Sequence, residues 1–133
     1  MNYKNWLLGN IPSEEIALLV SKRTGTLLII DAFLFLVAPI RYVFSTFPPH
    51  YLDLFVLGEG IVFIVCAFYV RNKNNYYASI LCGLIVLHGT INFASTIAVG
   101  QFNFIGILLT IFFILVAYSS LMATSFLRKI KNK

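Results

Sequence analysis

The hydrophobic positions of this chain fall into four long runs, separated by short polar segments. The runs cover approximately residues 24–43, 51–70, 76–99 and 102–126, and the uncharged stretch 104–123 alone has 20 residues. At about 1.5 Å per residue, a helix of this length crosses a hydrocarbon core of roughly 30 Å. Consecutive large apolar residues, without alternation, favour helices over the strands of a barrel. The pattern predicts an all-α integral membrane protein.

The short connections between the runs predict how the helices are arranged. There are three connections between the runs. The first, residues 47–50, contains paired prolines; the second, residues 72–75, consists of three asparagines and a lysine; the third is residues 100–103. Connections this short make consecutive helices antiparallel neighbours. We therefore expect an up-and-down bundle of four transmembrane helices that forms a single domain over residues 1–133.

A shorter helix is predicted before the first span. Pro12 suits a helix start, either Asn10 or Ser13 can cap it, and Glu14 and Glu15 lie in its favourable first turn. Apolar side chains recur on one face up to Lys22. We expect a short N-terminal helix at the cytoplasmic interface of the membrane.

Composition agrees with a membrane protein, and the basic residues predict its orientation. The hydrophobic fraction is 59% and the charged fraction 11%, with a mean hydropathy of +0.88. Nine of the ten basic residues flank the runs on one side: Lys4, Lys22, Arg23, Arg71, Lys73, Arg128, Lys129, Lys131 and Lys133. By the positive-inside rule both termini are cytoplasmic, in a plasma or inner membrane. A net charge of +5 distributed over helix ends does not indicate nucleic-acid binding; the expected surrounding is the lipid bilayer.

Three ionisable side chains lie inside the predicted spans, namely Asp31, Glu59 and His88. Each costs at least roughly 2.5 kcal/mol to insert, which calls for a partner, water or a function. Counting about 1.5 Å per residue puts Asp31 about 10 Å from the cytoplasmic boundary and both Glu59 and His88 at about 18 Å. Thr110 reaches that height too, and Asn92 lies one turn beyond His88 on the same face.

With Arg41 near that height, these residues form a predicted polar seam that handles a proton, a small cation or a small solute. Two alternatives remain open. The contacts of Glu59 with His88 or Arg41 serve only helix register, or the protein is a structural or accessory subunit of a membrane complex. A homo-oligomer is compatible with each of these.

Catalytic motifs are not found, so the sequence does not favour an enzyme. It contains no nucleotide-binding glycine loop and no serine nucleophile motif, and we predict neither a cofactor nor a metal. Cys66 and Cys82 are not a redox pair of the Cys-x-x-Cys type and are expected to be reduced and buried.

An acid in span one, an acid in span two and a histidine in span three, here Asp31, Glu59 and His88, resemble the arrangement in the EXPERA group of four-span membrane proteins. The similarity covers isolated residues. It implies an acid-lined intramembrane cavity that binds, or isomerises, a sterol-like or amphiphilic ligand.

Overall fold

Four helices make up the computed structural model, which describes residues 11–45, 51–100 and 103–132, without the side chains of 38–45 and 51–53. They are α1 (Glu14–Ser45), α2 (Tyr51–Lys73), α3 (Tyr76–Ala98) and α4 (Phe104–Lys131). Three segments are long and apolar enough to cross a membrane: Leu54–Lys73, Tyr76–Ala98 and Phe104–Lys131. The all-helical class and its membrane character are confirmed, and the three segments match three of the predicted spans.

The first helix differs from the expectation. Residues predicted as a separate interfacial helix and residues predicted as the first span belong to one continuous helix of 32 residues. Its length is about 48 Å, well beyond a hydrocarbon core of roughly 30 Å. Neither the separate short helix nor a fourth span is confirmed, and the end of the 24–43 run lies outside the described side chains.

Polar caps begin the described helices. The Ser13 hydroxyl accepts a hydrogen bond from the Ile16 amide at 3.4 Å, which selects Ser13 of the two candidate caps of α1. The Asn75 side chain accepts from the Ala78 amide at 3.0 Å, and the Asn103 side chain accepts from the Gly106 amide at 3.1 Å. The connection from α2 to α3 is therefore only two residues long; the proline-containing connection lies outside the described residues.

Contacts along the helices show that consecutive neighbours run antiparallel. The start of α1 meets the end of α2, where the Ser21 hydroxyl donates to the Val70 carbonyl at 3.1 Å. The start of α3 meets the end of α4, where the Ser79 and Ser120 hydroxyls are 2.8 Å apart. Helix α1 packs against α2 and α4, and α3 packs against the same two helices. The basic residues that end α2 and α4 thus lie at the end where α1 begins, which we call the basic end.

Small side chains allow the close packing of the core. The fully buried positions include Ala32 and Ala67 around the larger Leu28 and Phe63. A Cβ at Gly25 would lie 2.7 Å from the backbone of Arg71, so glycine is needed there for α1 to approach α2. Only 17% to 28% of each spanning segment is buried. The outward surface is composed largely of exposed apolar side chains, as expected for a protein surrounded by lipid.

Candidate functional site

A histidine joins α2 to α3 near the middle of both helices. The His88 Nδ1 atom lies 2.8 Å from Glu59 Oε1 and 3.0 Å from Glu59 Oε2. On the other edge of the ring, His88 Nε2 lies 3.2 Å from Asn92 Nδ2. The predicted contact of Glu59 with His88, and the predicted position of Asn92 on the same face of α3, are both found.

The donors and acceptors of this Glu59–His88–Asn92 network are matched in one arrangement of its protons. With Asn92 Nδ2 as the donor, His88 Nε2 accepts and the neutral ring carries its proton on Nδ1. That N–H then donates to the Glu59 carboxylate, which is a charge-assisted hydrogen bond when the acid is ionised. Both nitrogens of the imidazole are therefore engaged, one with an acceptor and one with a donor.

Exposure differs strongly between the two partners. The Glu59 side chain is 15% exposed, whereas the His88 side chain is 42% exposed. Asn92 is exposed as well. The network thus runs from an amide on the outer surface of α3, through the imidazole, to a shielded carboxylate between the helices.

A phenylalanine of α1 lies beside this network. The Phe35 ring lies 3.8 Å from the position of a Cβ at Gly89 and 3.4 Å from that of a Cβ at Gly60, both ordinary contact distances. These glycines are the chain neighbours of His88 and Glu59. The missing side chain at Gly60 provides the space that Leu36 occupies, since a Cβ there would lie 2.7 Å from Leu36 Cγ. Phe35 also packs edge-on against Phe63, with the ring centroids 6.3 Å apart.

Phe35 also forms part of the wall of a cavity of about 250 Å³, which the second intramembrane acid, Asp31, lines as well. Asp31 lines it together with Thr90 and Thr110, and the remaining lining is mostly apolar, including Phe35 and Phe93. The Asp31 carboxyl makes no hydrogen bond or ion pair with any described residue. An acid in an apolar cavity can hold a proton or accept a cationic group.

The predicted seam is therefore divided into two parts. Glu59, His88 and Asn92 form the network, while Asp31 and Thr110 line the cavity. The predicted layer of Thr110 with Glu59 and His88 is not found among the described contacts, because equal height does not make two side chains face each other. The side chain of Arg41 lies outside the described residues.

Sequence reasoning missed a layer of small polar side chains near the basic end. Its members are buried completely: Ser21, Thr24, Ser79, Ser119, Ser120 and Thr124. Thr24 and Thr124 donate to carbonyls one turn earlier in their own helices, at 2.8 Å and 2.9 Å, and Ser79 pairs with Ser120. Spacings of three and four residues between hydroxyls, as from Ser21 to Thr24, could have indicated this buried stripe. Its role is helix packing.

The cysteines add no site to this arrangement. Cys66 and Cys82 are buried and are not joined by a disulfide. Within residues 11–45, 51–100 and 103–132, no three metal-binding side chains come together. The chemistry that the described site offers is thus proton exchange and hydrogen bonding.

Comparison with known proteins gives no relative from which a role could be inferred. No family model, curated protein or solved structure matches this chain.

Proposed function

We propose that the protein crosses the membrane four times, with both termini cytoplasmic, and that it transfers protons through the Glu59–His88–Asn92 network. The observation that carries the proposal is the hydrogen bonding of both His88 nitrogens, to Glu59 on the shielded side and to Asn92 on the exposed side. Imidazole is the side chain best suited to exchanging protons near neutral pH.

A proton transfer through this network balances with water as the only further reactant. A proton delivered by water to Nε2 of His88 forms an imidazolium, and the Asn92 amide turns so that its oxygen accepts from the new N–H. The proton on Nδ1 then passes to a Glu59 oxygen 2.8 Å away, which leaves a neutral ring and a carboxylic acid. Water accepts the proton from Glu59. The starting state returns when the ring loses its Nε2 proton to water and takes one up at Nδ1.

The exposure of His88 supports transfer over a purely structural bond. A pair that served only helix register would gain from full burial, since lipid and water then could not compete for it. Instead 42% of the His88 side chain is open while Glu59 is mostly shielded. When a second protomer brings water to this open side of the ring, an open ring beside a shielded acid has the order that proton delivery requires.

Four spans follow if the 24–43 part of α1 crosses the bilayer, with the start of the helix extending beyond it. Glu14 and Glu15 begin the helix, and Lys22 with Arg23 then marks the cytoplasmic boundary. Asp31 is the one ionisable side chain within the described portion of that run, residues 24–37. This arrangement accounts for the length of α1 without a break.

In this proposal a second copy of the chain gives water access to His88. Four helices enclose little volume, so water reaches His88 more readily at a contact between two protomers than through lipid. A cysteine introduced at Ile91, which is exposed and three residues from His88, should then form a crosslinked dimer. Leu34→Cys on α1 is the control, since it is similarly exposed and lies on another helix. Equal crosslinking of the two variants would remove the second copy from the proposal.

Proton flux into proteoliposomes tests the proposed function. Glu59→Gln keeps the shape of the side chain and removes the proton acceptor, so flux driven by a pH gradient should fall at least tenfold. Glu15→Gln, the same chemical change at an exposed position in the first turn of α1, should leave flux unchanged. Unchanged flux in Glu59→Gln, with an unchanged circular dichroism spectrum and melting temperature, would refute the proposal, as would a parent protein without flux.

The Asp31 cavity supports a second candidate function, an intramembrane binder of an amphiphilic ligand. At about 250 Å³ it lies just below the range of about 300–1,000 Å³ typical of ligand pockets. The EXPERA-like expectation placed both acids at one cavity, yet Glu59 does not line this one. A small amine with an apolar body fits better than a sterol. Such an amine should raise the melting temperature of the parent but not of Asp31→Asn, and equal shifts in both would exclude the site.

A further inference from the structure

At the basic end, the Arg128 guanidinium is held by two tyrosines from the start of α3. It donates to the Tyr77 hydroxyl oxygen at 3.1 Å and lies 4.9 Å and 5.0 Å from the ring centroids of Tyr76 and Tyr77. Cation–π contacts and the hydrogen bond fix the position of the guanidinium. Because the Tyr77 oxygen accepts this bond, its own proton is free to donate to a ligand.

The described residues provide Arg128 with no negatively charged partner. No carboxylate in the described part of the chain forms an ion pair with Arg128. A groove of about 660 Å³ lies beside it, lined by Lys129 and Asn132 as well as by the apolar side chains of Phe126 and Ile130. Two cations and an amide around one opening are suited to a phosphate group. The Tyr77 hydroxyl does not line this groove, but it holds Arg128 at its edge.

An apolar groove of about 340 Å³ continues along the same face of α3 and α4. On α3 its lining follows Tyr76 at helical spacing, through Ile80, Gly83 or Leu84, and Leu87. On α4 it follows Ser125 in the same way, through Leu121, Tyr118 and Ile114. From Tyr76 to Leu87 the groove extends about 16 Å towards the middle of the membrane.

We propose that this face binds one anionic phospholipid, with its phosphate at Arg128 and Lys129 and one acyl chain in the groove between α3 and α4. Charge complementarity selects the headgroup, because a zwitterionic headgroup adds its own cation beside the two of the protein, whereas an anionic headgroup adds only negative charge. The apolar groove selects a lipid over a soluble phosphate, because a free anion has no group to place beside Gly83 and Leu87. Glu59, His88 and Asn92 do not line either groove, and the proposal does not depend on the proposed proton transfer.

Removal of the headgroup contact is tested with Arg128→Gln. The purified protein is mixed with phosphatidylglycerol or phosphatidylcholine in detergent, and retained lipid is counted by native mass spectrometry. The parent should retain one phosphatidylglycerol in preference to phosphatidylcholine, and Arg128→Gln should weaken this retention about fivefold or more. Lys73→Gln removes the same charge from the same end, on α2, outside the groove, and should retain the lipid as the parent does.

Gly83→Leu tests whether an acyl chain occupies the apolar groove. A Cβ at Gly83 meets nothing within 4 Å, so the larger side chain enters the groove without displacing a helix. Lipid retention should fall at least fivefold, a loss of the order expected when the site for one chain is filled. Gly58 on α2 is equally open, and Gly58→Leu is the matched control that should retain the lipid.

Inorganic phosphate distinguishes the two sources of the anion. At millimolar concentration it should not displace the bound lipid from the parent. Displacement by phosphate, together with full retention in Gly83→Leu, would show a site for soluble anions and overturn the proposal. Equal retention of the two lipids by the parent, or an equal loss in Arg128→Gln and Lys73→Gln, would overturn it as well. Unchanged melting temperatures of the four variants exclude misfolding as the cause of a loss.

Discussion

Replacing Glu59 and His88 by leucine, singly and together, measures how strongly the two side chains interact between α2 and α3. Hydrogen bonds between membrane helices contribute about 0.6 kcal/mol on average and about 1.7 kcal/mol at most. The pair is short, at 2.8 Å, but one partner is partly open. We therefore expect a coupling free energy of about 1 kcal/mol, between these limits.

The single variants should not be equivalent, because the partner left behind differs in exposure. His88→Leu leaves a carboxyl that is only 15% exposed, and it should lower the free energy of unfolding by about 2 kcal/mol. Glu59→Leu leaves a ring that is 42% exposed and still bonded to Asn92, so the loss should be about 1 kcal/mol.

Unfolding by sodium dodecyl sulfate in mixed micelles, followed by circular dichroism, measures these values. Tyr118→Leu on α4 is exposed and touches neither residue, so its combination with Glu59→Leu should be additive. A coupling of Glu59 with His88 within about 0.3 kcal/mol of zero would refute the reasoning, since that is the range found for independent sites. Equal losses in the two single variants would refute the argument from exposure.

Two further substitutions test the packing near the basic end by the same unfolding assay. Gly25→Ala places a Cβ 2.7 Å from the Arg71 backbone and should destabilise the protein by about 1–2 kcal/mol. Gly58→Ala, which meets open space, should be neutral or slightly stabilising. Similar effects of the two substitutions would contradict the close approach of α1 to α2 at Gly25. Ser120→Ala leaves the buried Ser79 hydroxyl without its partner and should lower the free energy of unfolding by about 1 kcal/mol. Adding Ser79→Ala should restore part of that loss. If the effects of the two substitutions were strictly additive, the two hydroxyls would not interact.

The sequence was sufficient to predict α2, α3 and α4 and to place Glu59 and His88 at one height, with their contact as one of two alternatives. In lipid a helix satisfies its own backbone hydrogen bonds, so a long apolar run has few alternatives. Counting residues from the helix ends then gives the height of each polar side chain, and neighbouring antiparallel helices bring equal heights together. The position of Asn92 follows from helical spacing alone.

The rotation of each helix about its own axis, which decides what its side chains face, could not be predicted in this way. Thr110 was placed with Glu59 and His88 by height, but its helix turns it towards the Asp31 cavity. The basic residue pair Lys22 and Arg23 suggested a boundary between two helices, although no proline interrupts the backbone there, and α1 continues through it. The contacts of Arg128 with the tyrosines could not be predicted from the sequence, because they depend on how α3 and α4 face each other.

The protonation of His88 in a bilayer tests the central claim most directly, namely that the ring holds a proton towards Glu59 and accepts from Asn92. The chain has two histidines, so His50→Gln leaves His88 as the sole signal for ¹⁵N nuclear magnetic resonance. We predict a neutral ring with its proton on Nδ1, and loss of the preference for Nδ1 in Glu59→Leu. A neutral ring protonated on Nε2, with the same spectrum in Glu59→Leu, would contradict the account.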